Sequence, residues 1–313
     1  MISYVVRRLL SAVVIMWAVA TLVFFAMRLI PADPAEVILG DNATEESLQA
    51  IREKTGLNLP LSEQYRLFMT GLLRGDFGNS LITNQPVSEQ IMALFPYTLE
   101  LALGSVIIGI LIGIPLGVLT AIHKDSWLDY LGRILALSGF SFPAFYLGIL
   151  FLLLFSVYLD WLPVVHSFNE GTLEERIRNL ILPAFSLGII QASYITRLTR
   201  STMLEQLELD YVRTARAKGL PETKIQYKHV LRNVMIPVVT AIGLYTGSIL
   251  GGAVLTETVF NRPGIGRLLV GAIAQRDYTL IQSALMIFSF VVVLVNLLVD
   301  LSYTLFDPRV KYD

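Results

Sequence analysis

Six long stretches of the 313-residue chain contain no Lys, Arg, Asp or Glu, and they constrain the fold more than any other feature. A helix needs about 20 mostly apolar residues to cross a bilayer, and a charge at its centre costs about 2.5–3.5 kcal/mol on insertion scales. The pattern therefore predicts an all-α integral membrane protein with six transmembrane helices, at residues 9–27, 101–122, 134–159, 179–196, 234–256 and 278–299. Pro143 lies in the third and longest stretch and predicts a tilt or kink there.

The composition agrees with a membrane protein and excludes several other classes. Hydrophobic residues make up 54% of the chain and charged residues 16%, whereas soluble domains carry about 25% charged residues. The net charge of −1 gives no indication of a nucleic-acid partner. The chain has no cysteine, which excludes disulfides and thiolate metal sites. Its histidines, His123, His166 and His229, are too far apart to form a metal-ligand motif, so we predict no metal site.

The first apolar stretch follows Arg7 and Arg8, as in a signal peptide. Its length of about 19 residues exceeds the usual 7–15 residues of a signal-peptide core, so we interpret it as a retained helix. Six spans place both termini on the same side of the membrane. The segments on that side hold 14 of the 24 Lys and Arg residues, at more than twice the density of the other side. The positive-inside rule therefore predicts cytoplasmic N- and C-termini.

The longest predicted cytoplasmic segment, residues 197–233, has the pattern of a helix, a tight turn and a second helix. Lys218 suits the C-terminal end of the first helix, and Gly219 follows as a residue able to adopt the left-handed conformation. Pro221 and Glu222 suit the start of the next helix. Charged and apolar residues alternate, which indicates a surface element with one adhesive face. A solvated connector between spans is the alternative interpretation. A DNA-binding helix-turn-helix is disfavoured because both ends are tethered to the membrane.

This segment resembles the cytoplasmic helix pair of permeases from bacterial ATP-binding-cassette (ABC) importers, whose pattern is Glu-Ala-Ala, three residues and Gly. The chain has Arg213, Thr214 and Ala215 followed by Gly219, so the Glu and the first Ala of the pattern are replaced. Further stretches are similar to the peptide/nickel branch, and to its first-permease subunits for dipeptides and oligopeptides in particular: YVVRRLL at 4–10, GLNLPL at 56–61 with Gln64 and Tyr65, GDFGNS at 75–80, ETVFNRPGIG at 257–266 and DPR at 307–309.

The resemblance covers the whole chain and implies a single permease domain, residues 1–313, with the architecture of type I ABC importers in the bacterial inner membrane. It implies a second homologous permease, two cytoplasmic ATPase subunits and an extracytoplasmic binding protein as partners, besides membrane lipid. The coupling residues carried over by position are Asp210, Arg213, Thr214, Ala215, Arg216 and Gly219. We expect Arg213 and Arg216 to face acidic groups of the ATPase. The chain contains no Gly-Lys dipeptide and hence no P-loop, so ATP and Mg²⁺ are expected on the partner ATPases and this chain is not expected to be an enzyme.

The outer loop, about residues 31–97, is predicted to form a small folded cap. Thr44 precedes an amphipathic pattern and suits an N-cap, and residues 75–84 have the composition of turns. We expect the cap to receive the binding protein. A self-packed lid without a docking role is the alternative.

Two predicted spans carry glycines four residues apart, which permit close helix packing. The first ladder is Gly109, Gly113 and Gly117; the second is Gly243, Gly247 and Gly251. Packing within the chain is the simpler interpretation, and a gating seam with a second permease is the alternative. Glu100, Glu257 and Asp300 lie at span ends, where Glu257 and Asp300 are weak candidates for the pathway or its mouth.

The predicted function is therefore the pore-forming subunit of an ATP-driven importer, first for di- or oligopeptides and second for nickel or a nickel chelate. An ion-coupled secondary transporter is a less favoured alternative, because such carriers use acidic groups within their spans. An intramembrane enzyme is also disfavoured, since the chain has neither a His-Glu-x-x-His nor a Gly-x-Ser-x-Gly motif.

Overall fold

The structure is a computed structural model, and it describes residues 2–29, 35, 39, 44–163 and 172–306. These residues are mostly helical, with no strand among them beyond an isolated bridge between Asn79 and Pro86. The predicted all-α membrane class is confirmed. Within these described residues, five helices are long and apolar enough to cross a membrane, and a bent helix pair would make a sixth span.

Most of the helices extend beyond the charge-free stretches that predict them, because a helix can carry charged residues at its ends. In chain order the helices are α1 (Ile2–Leu29), α2 (Glu45–Thr55), α3 (Leu61–Leu73), α4 (Val87–Ile122), α5 (Trp127–Ser141), α6 (Ala144–Phe151), a π-helix (Leu152–Tyr158), α7 (Leu173–Leu207), α8 (Asp210–Ala217), α9 (Glu222–Lys224), a second π-helix (Ile225–Val230), α10 (Leu231–Val259), α11 (Ile265–Gln275) and α12 (Tyr278–Phe306).

The third predicted span, residues 134–159, is bent at Pro143 as the sequence predicts, but the structure has two separate helical segments there rather than one kinked helix. Helix α5 begins earlier, at Trp127, and the chain then bends by 106° between α5 and the segment that starts at Ala144. Pro143 explains the break, because its ring disfavours helical geometry at the preceding residue. Phe142 accordingly has extended backbone angles, φ −117° and ψ 140°.

The chain divides into two compact units, the first formed by Met1–Pro96 with Pro263–Leu297. Within it α1 packs on α3 through aromatic rings, and the Thr21 and Tyr65 hydroxyls are 2.8 Å apart. The predicted cap elements are present. Thr44 accepts a hydrogen bond from the Ser47 amide at the start of α2. The turns of residues 75–84 contain three residues with positive φ, which are Gly75, Gly78 and Asn84.

The second unit contains Tyr97–Arg262, which is most of α4, together with α5 to α10. Its core combines buried residues of α4 and α7, such as Val118 and Ile195, with residues that follow them in the chain, among them Val212, Ile225 and Val234. Because residues of the 197–233 segment are part of this core, the segment is attached to the transmembrane helices and is not a loose connector.

Candidate functional site

The segment of residues 197–233 contains the predicted helix, turn and helix. Helix α8 ends at Ala217, and Gly219 takes the left-handed conformation with φ +73°. The Gly219 amide donates to the Arg216 carbonyl at 2.9 Å, and the Leu220 amide donates to the Ala215 carbonyl at 3.3 Å. This pair of hydrogen bonds is the Schellman arrangement, which satisfies the last carbonyls of a helix. The turn therefore has a defined shape that depends on glycine.

One face of α8 is fixed to the core of the unit. The Val212 side chain is fully buried, and Tyr211 and Ala215 are partly buried beside it. The Tyr211 hydroxyl also donates to the Gln206 side chain at 3.0 Å, which links α8 to the end of α7. Helix α8 is thus packed into the same hydrophobic core as residues of α7 and α10.

The other face of α8 is polar and exposed. Arg213 lies 3.4 Å from Asp210 on the same helix, and Thr214 donates to the Asp210 carbonyl at 2.9 Å. Arg216 instead donates to the Glu222 carboxylate across the turn at 2.6 Å, and this carboxylate raises the pKa of the Arg216 guanidinium. Of the two predicted docking arginines, Arg216 therefore has a stronger partner within the chain than Arg213 has.

The glycine ladder of α4 lies against α7. A Cβ atom placed at Gly113 would be 2.7 Å from Ile195 Cβ and 2.9 Å from the Ala192 carbonyl oxygen. At Gly117 it would be 2.6 Å from Thr199 Cβ, and at Gly109 it would be 2.8 Å from the Gln191 side-chain oxygen. The three glycines thus allow α4 and α7 to approach closely within the chain.

The ladder of α10 has a different environment. Gly243 and Gly247 are partly buried, and Gly251 is exposed with no atom within 4 Å of a Cβ placed there. The neighbouring Gly252, which is not part of the ladder, would place a Cβ 3.1 Å from Leu187.

Glu257 is fully buried near the end of α10. The Thr98 hydroxyl donates to its Oε1 at 2.6 Å. In this structure the carboxylate therefore presents no oxygen to an open mouth. Asp300 lies in α12, and its side chain is outside the described residues.

A charged cluster near Glu257 is a feature that the sequence did not reveal. The Arg262 side chain is 2% exposed and donates to Glu100 Oε2 at 3.0 Å, while Arg176 pairs with the other oxygen of Glu100. Burial lowers the pKa of the Arg262 guanidinium, and the Glu100 carboxylate offsets part of that effect. The stretch ETVFNRPGIG contains Arg262, but nothing in it identifies a partner 162 residues earlier.

Among the described residues no group of three or more His, Asp or Glu side chains is placed to hold a metal ion. The arrangement thus offers a packed helical scaffold, a polar exposed surface on α8 and an ionic cluster around the buried Arg262.

A family model for the inner membrane component of binding-protein-dependent transport systems matches residues 113–312, and the model of the family's N-terminal part matches residues 1–102. The chain belongs to this family. It is 44% identical to the glutathione transport system permease protein GsiC of Salmonella paratyphi A and 41% identical to the dipeptide transport system permease protein DppB of Alkalihalophilus pseudofirmus. Each alignment covers 100% of both chains.

Solved structures support the same fold for this family member. An inward-facing crystal form of the MetNI methionine ABC transporter matches with a TM-score of 0.58 and 17% identity, over 69% of this chain and 95% of that chain. The family match and the full-length relatives confirm the resemblance to ABC importer permeases. Family membership also implies association with ATPase and binding-protein components of a transport system in the inner membrane.

Proposed function

We propose that the chain is a pore-forming permease subunit of an ATP-driven importer for short peptides, in the size range of dipeptides and glutathione. The observation that carries this proposal is the full-length similarity to permeases of both a glutathione and a dipeptide system. These relatives do not favour the nickel alternative.

The proposed complex contains a second homologous permease and two cytoplasmic ATPase subunits, which bind ATP and Mg²⁺. The distribution of basic residues supports cytoplasmic N- and C-termini and a cytoplasmic segment at residues 197–233. In this arrangement the exposed face of α8, with Arg213 and Thr214, docks on an ATPase. Its buried face, with Val212, transmits the movement to the membrane helices.

The cap of the first unit is proposed to receive an extracytoplasmic binding protein. Helix α3 of this segment has three exposed leucines, Leu61, Leu67 and Leu73, whose side chains are available for contact with a protein partner.

The experiment that tests the proposal is uptake by proteoliposomes that contain the assembled transport complex, with the purified binding protein outside. Labelled dipeptide, glutathione and Ni²⁺ are compared, each with ATP or a non-hydrolysable analogue inside. We expect ATP-dependent accumulation of a peptide and none of Ni²⁺. Accumulation of Ni²⁺ alone, or peptide uptake that follows an ion gradient without ATP, would contradict the proposal.

A further inference from the structure

A cavity of about 240 Å³ lies between α5 and α7 in the second unit. Its lining includes three arginines, Arg133, Arg197 and Arg200, beside hydroxyl-bearing residues and an apolar wall of Ala136, Leu137 and Phe140. None of these residues belongs to the α8 surface or to the Glu100 cluster. The cavity is therefore a separate feature whose chemistry needs its own explanation.

Arg200 is already neutralised. It donates to both oxygens of Asp129 at 2.7 Å in a bidentate pair, and the Asp129 side chain is fully buried. The pair joins α5 to α7 and forms one end of the cavity. Its charges compensate each other, so Arg200 contributes structure rather than net charge.

Arg133 and Arg197 remain as cationic groups at the cavity. Within the described part of the chain, neither has a carboxylate within salt-bridge distance. Each guanidinium lies instead near an aromatic ring, Arg197 at 5.2 Å from the centre of Phe140 and Arg133 at 5.8 Å from that of Tyr130. Such contacts orient a guanidinium and leave its N–H groups available.

The hydroxyl groups of the lining are not free to donate hydrogen bonds to a ligand. Ser193 donates to the Ile189 carbonyl at 2.8 Å, Ser201 to Leu198 at 3.0 Å and Thr196 to Gly113 at 3.3 Å. Their hydrogens are used within the protein, so the donors left for a ligand are those of the two guanidinium groups. An anionic oxygen group is the acceptor that binds such donors most strongly.

The apolar side of the cavity indicates the source of that group. Leu137 in the lining is 59% exposed, and Leu131 and Ile134, which are also exposed, extend this apolar surface along α5. An apolar helix surface next to paired guanidinium groups fits a molecule with an anionic head and a hydrocarbon chain. Basic pockets between transmembrane helices bind phosphate headgroups in this manner.

We propose that this cavity binds the phosphodiester headgroup of an anionic membrane lipid, with Arg133 and Arg197 as its ligands and the acyl chains along α5. Occupation would hold α5 and α7 together beside the Asp129–Arg200 pair. The orientation proposed above determines only which leaflet supplies the lipid. The site can therefore be tested whether or not the chain transports peptides.

The test uses the full transport complex, purified in a neutral detergent and stripped of native lipid. Binding of phosphatidylglycerol is measured by native mass spectrometry against phosphatidylcholine with the same acyl chains. The double variant Arg133→Gln with Arg197→Gln removes both proposed ligands. The matched control is Lys228→Gln with Arg232→Gln, which removes the same charge at exposed positions.

We expect phosphatidylglycerol to bind the wild type and the control equally, and the double variant roughly 30-fold more weakly. The variant Arg133→Lys with Arg197→Lys should retain most of the binding, which distinguishes lost charge from misfolding. Glycerol 3-phosphate, which has the headgroup anion without acyl chains, should bind much more weakly. Equal binding of the two lipids, an equal loss in the control, or binding of glycerol 3-phosphate as tight as that of the lipid would overturn the proposal.

Discussion

At the scale of single residues, a few positions of the chain are constrained by the space or the charge around them. Gly113 is such a position because backbone and side-chain atoms of α7 occupy the space a Cβ would need. Arg262 is another, since its guanidinium is buried with Glu100 as its charged partner. In both cases the constraint comes from residues far away in the sequence.

We expect Gly113→Ala to lower the stability of the detergent-solubilised protein by about 1–3 kcal/mol, because overpacking forces α4 and α7 apart. The matched control is Gly251→Ala, where a Cβ meets no atom within 4 Å. Thermal denaturation midpoints of the two variants provide the comparison. An equal shift for both variants would show that α4 and α7 are not in close contact.

Arg262→Ala should destabilise the protein by about 1–3 kcal/mol, because it removes a buried side chain and its hydrogen bond to the Glu100 carboxylate, which is 34% exposed and keeps Arg176 as a partner. The control is Arg176→Ala, which removes the other arginine on the same carboxylate. The Arg176 side chain is 48% exposed, so its loss should cost about 0.2–1 kcal/mol. Thermal denaturation midpoints of the two variants provide the comparison. A larger effect for Arg176→Ala would refute the proposed importance of the buried Arg262 side chain.

At the scale of secondary-structure elements, hydropathy identifies where the spans lie, because insertion depends on the local composition of about 20 residues. Local sequence also identifies the N-cap at Thr44 and the glycine turn at Gly219. The 106° bend between α5 and α6 is more than the kink expected from Pro143, because its angle depends on the packing of both helices. The cluster of Arg262 and Glu100 and the cavity between α5 and α7 depend on long-range contacts. No single sequence reveals such contacts.

The turn after α8 depends on the left-handed backbone of Gly219. We expect Gly219→Ala to increase amide hydrogen exchange in α8 without affecting the rest of the chain, because an alanine at φ +73° costs roughly 1 kcal/mol. Gly271→Ala in α11 is the control, since a Cβ there meets no atom within 4 Å. Unchanged exchange in α8 would mean that the turn tolerates a side chain.

At the scale of the whole molecule, the proposed orientation has α8 on the cytoplasmic side and the cap on the opposite side. The absence of cysteine makes this orientation directly measurable with single introduced cysteines. Thr214→Cys on α8 should react with a membrane-impermeant maleimide in inside-out vesicles from cells that lack the partner ATPases, and be protected in right-side-out cells. Ser62→Cys in the cap, which is also exposed, should show the opposite pattern. The reverse result would invert the topology.

The spans carry little chemistry of their own, so we infer that the chain is a pore driven through the α8 surface. Family membership and the full-length relatives support the role as a pore subunit. The α8 helix, with Val212 buried in the core and Arg213 exposed, supports the transmission of movement through α8. The central claim is that the α8 surface couples ATP hydrolysis by the partner subunits to uptake through this chain. These two quantities can be measured separately.

The most direct test measures both quantities in the same proteoliposomes, for the wild type, Gly219→Pro and Arg213→Glu, with Gly271→Ala as the control because a Cβ there meets no atom within 4 Å. Proline fixes φ at about −65° and cannot adopt the positive φ of the turn at Gly219. Arg213→Glu reverses the charge at an exposed position of α8. We expect each loop variant to insert and assemble normally and to retain ATP hydrolysis, while peptide uptake per ATP falls at least tenfold. Uptake per ATP equal to that of the wild type in both variants would contradict the claim that α8 couples ATP hydrolysis to transport.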